Sequence, residues 1–322
     1  RNSKKRNRCN IRTGSYYIEV NMSFSSDVKK ELSQNISSAC CYKAEAFGML
    51  LFGRSFSLSE ISLMTEFQSV AEHYCSSIRD LTGVTPNMTC TNAGNYKILI
   101  PTKAERIKVL EFFGYTGKEL SLRINLSNLE QTNNDCCSKA LLRGAFLVCG
   151  SVTDPNKEYH IEFNVQKAKL CSDLMQIIDD LGLKAKKIIR GNSYVIYSKD
   201  AESVEDYIGT MGANNAFMEV MQTRAMKDIK NQINRRTNFE SANMSRSIEA
   251  GLKQVALIEE ILEKIKIDDM TKDLAELCSL RLENPDVSLD ELGKLMTPEL
   301  SRSAVSRRFK KLEKIAAELK SK

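Results

Sequence analysis

Residues 37–56, SSACCYKAEAFGMLLFGRSF, align without gaps to residues 133–152, NNDCCSKALLRGAFLVCGSV. Cys40 and Cys41 match Cys136 and Cys137, Gly48 matches Gly144, and Leu51 matches Leu147, always 96 residues apart. A repeat at fixed spacing constrains a chain more than any isolated motif, because both copies must fold alike and then pack together. The segments downstream of the two copies are also alike. SEISLMTEF (59–67) is strand-like, SVAEHYCSSIRDLTGV (69–84) helical, NYKILIP (95–101) strand-like and KAERIKVLEFFGY (103–115) helical. In the second copy the same order is EYHIEFNV, AKLCSDLMQIIDDLGL, SYVIYS and AESVEDYIGTMGA.

Period-two alternation with β-branched residues marks the strands, and apolar spacing of i, i+3/i+4 marks the helices. Room for one further strand remains in each half, around 84–91 and 183–190. The pattern is αββαββα, twice, which predicts an α+β domain with a pseudo-twofold axis over residues 22–218, its halves about 22–117 and 118–218. Glycine inside a helix costs about 1 kcal/mol relative to alanine. Gly48, Gly144 and Gly150 are therefore read as packing devices, letting the two repeated helices approach across the axis.

The chain has 322 residues, 42% hydrophobic and 27% charged, with a net charge of +6. Residues 1–21 hold six Arg/Lys and one Glu, so they carry +5 of it and leave only +1 for the rest. Whole-chain charge is therefore weak support for a nucleic-acid partner. MSFSSDVKKEL from Met22 reads as a natural beginning, with Ser25 or Ser26 capping a helix. The basic extension 1–21 is taken as a disordered or non-native tail, with a phosphate-binding arm as the alternative. No apolar run is long enough to cross a bilayer, so no membrane partner is expected. The basic start lacks the apolar stretch of a secretory signal. These features point to a cytoplasmic protein, nucleoid-associated where the DNA partner inferred below holds it.

Ten cysteines in a chain of this size are read as reduced thiols rather than a disulfide scaffold. There is no CxxC pair, and His73 and His160 are the sole histidines, so no structural zinc site is expected. Adjacent cysteines point in different directions, which makes joint chelation awkward. The pairs at 40/41 and 136/137 are read as small apolar residues at helix starts, with a redox switch as the alternative. No cofactor and no metal are implied by these residues.

Residues 219–268 read as a helical connector of two stretches separated near Asn238–Ser245, with Ile229, Ile233 and Leu252 among their apolar contacts. Arg235 and Arg236, with Asn238, Asn243 and Arg246, would make a basic junction suited to phosphates. A capped helix break is the plainer alternative. Residues 269–322 form the clearest functional module. TKDLAELCSLRLENP gives a helix ending before Pro285, and VSLDELGKLM a second, with Ser288 and Glu291 as a capping box. After TPEL comes SRSAVSRRFKKLEKIAAELKSK, so Leu289, Leu292, Leu295 and Met296 would face Ala304, Val305, Phe309, Leu312 and Ile315. This spacing makes a helix-turn-helix.

Residues 273–300 carry −5 and residues 301–322 carry +6. Ser301, Arg302, Ser303, Ser306, Arg307 and Lys310 would occupy the N-terminal part of a recognition helix, where side chains reach base edges. Arg308, Lys311 and Lys314 are assigned to phosphates. The basic cluster AKKIIRGN (185–192), with Lys97 and Lys184, is a second DNA-contact candidate; a solvated hairpin is the plainer reading.

The repeated segments resemble the motif helix of LAGLIDADG homing endonucleases, whose two motif helices pack at the domain centre. LRGAFLVCG (142–150) matches that motif most closely, with Gly144 at its first glycine and Gly150 at its last. More narrowly, the chain resembles the WhiA family of bacterial transcription regulators, which join a LAGLIDADG-like domain to a C-terminal helix-turn-helix. LLRGAFLVCGSV (141–152), INRRTNFESANMSR (233–246) and the final helices carry this resemblance, in order across residues 22–322. It implies a role linked to sporulation or cell division, with double-stranded DNA as partner. RNA polymerase or another transcription regulator is the protein partner it suggests.

In the nucleases an acidic residue near the end of each motif helix holds the divalent metal. Hard cations want oxygen ligands, and the matching positions here are Gly53 and Cys149. Asp154 in TDPNKE reads as a turn residue, and Glu60 lies beyond the first helix. The expectation is a DNA-binding regulator with no catalytic residue. Its rivals are a surviving metal-dependent endonuclease and a protein-interaction scaffold with incidental DNA affinity.

Overall fold

The computed structural model describes residues 23–35, 38–117, 119, 122–124 and 135–320; the extension 1–21 lies outside them. The repeat folds as its pattern predicts. In the first half α2 (Ala39–Phe52) leads to β1 (Ser55–Phe56) and β2 (Ile61–Thr65), α3 (Gln68–Thr82), β3 (Asn87–Cys90) and β4 (Tyr96–Leu99), and α4 (Lys103–Phe112). In the second, α5 (Asp135–Cys149) leads to β5 (Gly150–Val152) and β6 (Ile161–Val165), α6 (Ala168–Asp180), β7 (Lys186–Arg190) and β8 (Ser193–Ser198), and α7 (Ala201–Met211). Before them runs α1 (Phe24–Ser33), capped by Ser23 rather than Ser25 or Ser26. The Ser23 side chain accepts from the Ser26 backbone at 3.2 Å.

Each half builds one antiparallel sheet, ordered β1-β2-β4-β3 and β5-β6-β8-β7. The registers correspond: Leu63 sits opposite Ile98 in one central pair, and Phe163 opposite Ile196 in the other. All four of these residues are buried. Every residue of α2 from Ala44 to Phe52 is buried, as expected of a helix covered on all sides.

Gly48 and Gly144 meet backbone to backbone. A Cβ at Gly48 would lie 2.5 Å from the Leu141 carbonyl oxygen and 3.1 Å from the Ala145 nitrogen, and one at Gly144 would strike the Glu45 carbonyl oxygen. Gly150 does something else. A side chain there would strike the Phe146 ring, so this glycine lets β5 leave over the end of its own helix. Across the same helix contact, Arg143 of α5 donates from Nε and Nη2 to Glu45 Oε2 of α2, at 2.8 and 2.6 Å. The other carboxylate oxygen is 2.8 Å from His73 Nε2, and Arg143 Nη1 reaches the Met211 carbonyl at 3.1 Å.

The expected break near Asn238–Ser245 does not occur: α8 runs unbroken from Asn214 to Leu262. Asn and Ser lower helix propensity by only a few tenths of a kcal/mol each, and neither stops a helix as proline does. No proline lies in that span, and the Arg236–Glu240 and Lys253–Glu249 pairs support it at i,i+4 spacing. Its first turn is capped from α1, where the Glu31 carboxylate accepts from the Asn215 and Ala216 backbones at 2.8 and 3.1 Å. Ile229, Ile233 and Leu252, read as apolar contacts, are exposed instead.

The chain divides within α8 into two compact units, the first ending at Met226 and the second beginning at Lys227. In the second unit the end of α8 meets α9 (Lys272–Glu283), α10 (Leu289–Leu295) and α11 (Arg302–Lys320). Its core joins Ile258 and Ile261 of α8 to Leu277, Leu292, Met296, Val305, Phe309 and Leu312. Leu295, expected in that core, is exposed.

Candidate nucleic-acid interface

The helix-turn-helix frame is fixed by short polar contacts. Ser288 and Glu291 form the expected capping box at the start of α10, with the Glu291 carboxylate 2.8 Å from the Ser288 nitrogen. The turn closes on Gly293, whose carbonyl accepts from the Leu300 backbone at 2.9 Å. A side chain at Gly293 would strike the Leu300 carbonyl oxygen. Buried Arg281 of α9 braces the preceding turn, donating from Nη1 to the carbonyls of Asn284 at 3.1 Å and Val287 at 2.8 Å. Its guanidinium also lies over the Phe309 ring, 5.8 Å from the centroid. Nothing in the local pattern marked Arg281; an arginine next to a leucine run reads as a surface residue.

On this frame α11 turns Val305, Phe309, Leu312 and Ala316 inward. Arg302, Ser303, Arg307, Lys310, Lys311 and Lys314 are exposed, and Ser306 is half-buried beside them. Ser303, Arg307, Lys310 and Lys314 recur at helical spacing and so share one face. Ser301 is less free than its position suggests, since its Oγ accepts from the Ala304 backbone at 3.4 Å and so caps the helix. Arg308, expected at phosphates, is engaged within the fold. Its Nη2 donates to Asp273 Oδ2 of α9 at 2.7 Å, holding the helix to its neighbour.

Arg235 and Arg236 are exposed on the unbroken α8 rather than at a junction, and Arg236 is engaged with Glu240 at 2.9 Å. The 185–192 cluster is the expected hairpin of β7 and β8, turning at Gly191 with φ 59°. Lys184, Lys186 and Lys187 are exposed there, as is Lys97 on β4. Arg190 contacts Glu162 at 3.4 Å.

At the C-terminal ends of α2 and α5 lies a cavity of about 1040 Å³, lined among others by Lys29, Gly53, Glu66, Cys149 and Lys167. This is where the nuclease resemblance would put a divalent cation, and the two positions matched to its acidic ligands supply no carboxylate, leaving Glu66 as the acid among the described lining residues. Gly53 offers no side-chain ligand. Burial pushes the Cys149 thiol up to about 12, so it is neutral at pH 7. Asp154 is a turn residue as expected, its Oδ1 accepting from the Asn156 backbone at 2.9 Å. Glu60 accepts from Ser62 at 2.6 Å. Helix C-termini favour a cation, and the buried one among the cavity's lining residues is the amine of Lys29. It lies 4.6 Å from the Phe67 centroid and 5.7 Å from that of Phe146. Burial lowers its pKa to about 8, against the opposing pull of the Glu66 carboxylate.

The cysteine pairs depart from expectation. Cys40, Cys41, Cys136 and Cys137 occupy the first turns of α2 and α5, and their sulfurs all lie within 4.8 Å of one another. Reading each pair within its own helix missed this meeting across the axis.

Known proteins fit this architecture. Residues 138–230 match the model of the WhiA LAGLIDADG-like domain, and residues 233–316 that of the WhiA C-terminal HTH domain. A probable cell division protein WhiA from Ruminiclostridium cellulolyticum is 34% identical over 315 residues, covering 93% of this chain and 98% of that one. Its counterpart in Thermoanaerobacter pseudethanolicus is 35% identical with the same coverage. The fold is shared with full-length WhiA from Thermotoga maritima, at a TM-score of 0.58 and 21% identity over 92% of this chain and 99% of that one. The chain, a LAGLIDADG-like α+β domain followed by a helical HTH domain, belongs to the WhiA family.

Proposed function

We propose that the chain is a non-catalytic, sequence-specific regulator of transcription that binds double-stranded DNA through α11. The carrying observation is the exposed face of Ser303, Arg307, Lys310 and Lys314, presented by a helix whose opposite face is locked into the core. In this reading residues 22–218 form the duplicated domain, 219–268 the connector and 269–322 the reading head. Arg302, Ser303, Ser306 and Arg307 contact base edges, where arginine can bind guanine bidentately. Lys310, expected at base edges, lies more than two turns into α11 and is grouped with Lys311 and Lys314 on phosphates, while Arg235, Arg236 and the β7 lysines are further basic contacts. Ser301 and Arg308 keep α11 in place rather than touching DNA.

The relatives' description as probable cell division proteins supports a role in cell division. In this reading the protein acts at the nucleoid in the cytoplasm, and the link to sporulation follows from the family resemblance alone. In this reading RNA polymerase or another transcription regulator is the protein partner. The absence of carboxylates at Gly53 and Cys149, with Lys29 beside them, argues against DNA cleavage. The test is a gel shift on the DNA recovered by genome-wide mapping, comparing the native chain with Arg302→Ala/Arg307→Ala. Binding on the order of 100-fold weaker is expected, from the 1–3 kcal/mol typical of a good base contact at each arginine. Unchanged affinity would overturn the assignment of α11 as the recognition helix.

A further inference from the structure

The four cysteines gather at the end of the α2–α5 pair opposite the Lys29 cavity, since they begin the two helices and the cavity sits where those helices end. All four are free thiols; Cys137 is buried, Cys40 and Cys41 half-buried and Cys136 exposed. The Sγ atoms of Cys40 and Cys41 are 4.0 Å apart, and no pair in the group is separated by more than 4.8 Å. Four sulfurs bound tetrahedrally to zinc at about 2.3 Å are about 3.8 Å from one another. Small side-chain rotations bring the group to that spacing. A single disulfide would need only two sulfurs close together, whereas here each is close to all three others.

We propose that Cys40, Cys41, Cys136 and Cys137 bind one zinc ion as four thiolates, joining the two halves of the duplicated domain at the start of their central helices.

The surroundings suit an anionic metal–thiolate centre. The N-terminal ends of two helices converge on it, and each carries a partial positive charge with backbone N–H groups that lack intrahelical acceptors. At the start of α2 the side chain of the cap residue Ser38 makes no capping hydrogen bond, and its hydroxyl lies 3.4 Å from Cys40 Sγ. Backbone N–H groups donating to metal-bound sulfur are the outer contacts that orient such ligands. Oxygen-seeking cations are disfavoured by an all-sulfur set, so magnesium and calcium are not candidates. As each Zn–S bond forms, the thiol gives up its proton to solvent, so binding is proton-releasing. The exposed Cys136 leaves a way in for the ion.

The test uses the full chain, reduced under nitrogen, stripped with a chelator and titrated with Co²⁺ and then Zn²⁺. Expected is one equivalent of cobalt with the ligand-field and thiolate charge-transfer bands of a tetrahedral four-sulfur centre, displaced by one equivalent of zinc. Zinc should also raise the melting temperature. Cys136→Ser, an exposed position that leaves the core intact, should weaken zinc binding roughly 100-fold or more, a larger loss than outer contacts alone bring. Cys75→Ser, on α3, should bind as the native chain does. A native chain that takes up no cobalt, a spectrum without thiolate bands, or equal binding by Cys136→Ser would overturn the proposal. So would mass spectrometry of the zinc-treated chain, after exposure to air as oxidant, showing a disulfide between the halves.

Discussion

Three side chains, Glu45, Arg143 and His73, meet at the centre of the duplicated domain. Glu45 is 1% exposed and shares its carboxylate between Arg143 and His73. Removing one member of a buried pair leaves the other charged and unsolvated, so Glu45→Ala should destabilise the domain by about 3–5 kcal/mol, read by chemical denaturation. A loss below about 1 kcal/mol would show that water reaches Arg143. Gly144→Ala places a methyl against the Glu45 carbonyl oxygen, backbone that cannot rotate away; about 1–3 kcal/mol of overpacking is expected. Lys29 makes its own prediction. Its pKa falls from 10.5 in the unfolded chain to about 8 in the fold, so between those values the unfolded state binds more protons. Stability attributable to Lys29 is therefore lowest below pH 8 and rises through the window to pH 10.5, by at most about 3 kcal/mol. Glu66, Cys149, Arg54 and Lys167 share its cavity, so the native chain must be compared with Lys29→Met over that range. Parallel denaturation curves would refute the assignment. Neither the Glu45–Arg143 pair nor the buried amine of Lys29 was legible in advance. Glu45 and Arg143 are 98 positions apart and occupy non-equivalent places in the repeat, so no local pattern pairs them. The glycines were legible because each breaks a propensity rule within its own helix.

Among the elements, those with local signals are legible in the sequence. The capping box at Ser288 and Glu291 marks the start of α10, and period-two runs mark β2, β4, β6 and β8. Helix α8 is misleading because polar, low-propensity residues suggest a break where nothing actually stops a helix. Helix α11 illustrates a finer limit: its charges are legible but their engagement is not. Arg308 and Arg307 are neighbours, yet Arg308 is held by Asp273 while Arg307 is free for a ligand. The two should therefore separate by experiment. Lys310→Ala or Lys314→Ala should lower the slope of log affinity against log salt by about one each. Arg308→Ala should leave the slope nearly unchanged and lower stability by under about 1 kcal/mol, since its partner Asp273 is largely exposed. An equal drop in slope for all three would return Arg308 to the phosphate contacts.

For the whole molecule, the repeat allowed the architecture to be inferred before any contact was known, because two copies of one unit leave few ways to bury their apolar helices. What the repeat concealed is how far the copies have diverged. Opposite ends of one helix pair now differ in character, with thiols gathered at one and a buried amine at the other. Incubated with supercoiled DNA and magnesium, the protein should leave no nicks; cleavage would require ligands other than those at Gly53 and Cys149. The Glu45–Arg143 pair reaches further. By the offset of the repeat, Glu45 corresponds to Leu141 and Arg143 to Phe47. Two first halves placed together would bury each carboxylate against the other's Phe47, and two second halves each guanidinium against the other's Leu141. Expressed as separate chains cut between Ile124 and Asp135, the halves should therefore pair with each other and refuse their own kind, as native mass spectrometry would show. A domain that looks like a dimer of equals has become a lock and its key, and its two copies can no longer stand in for one another.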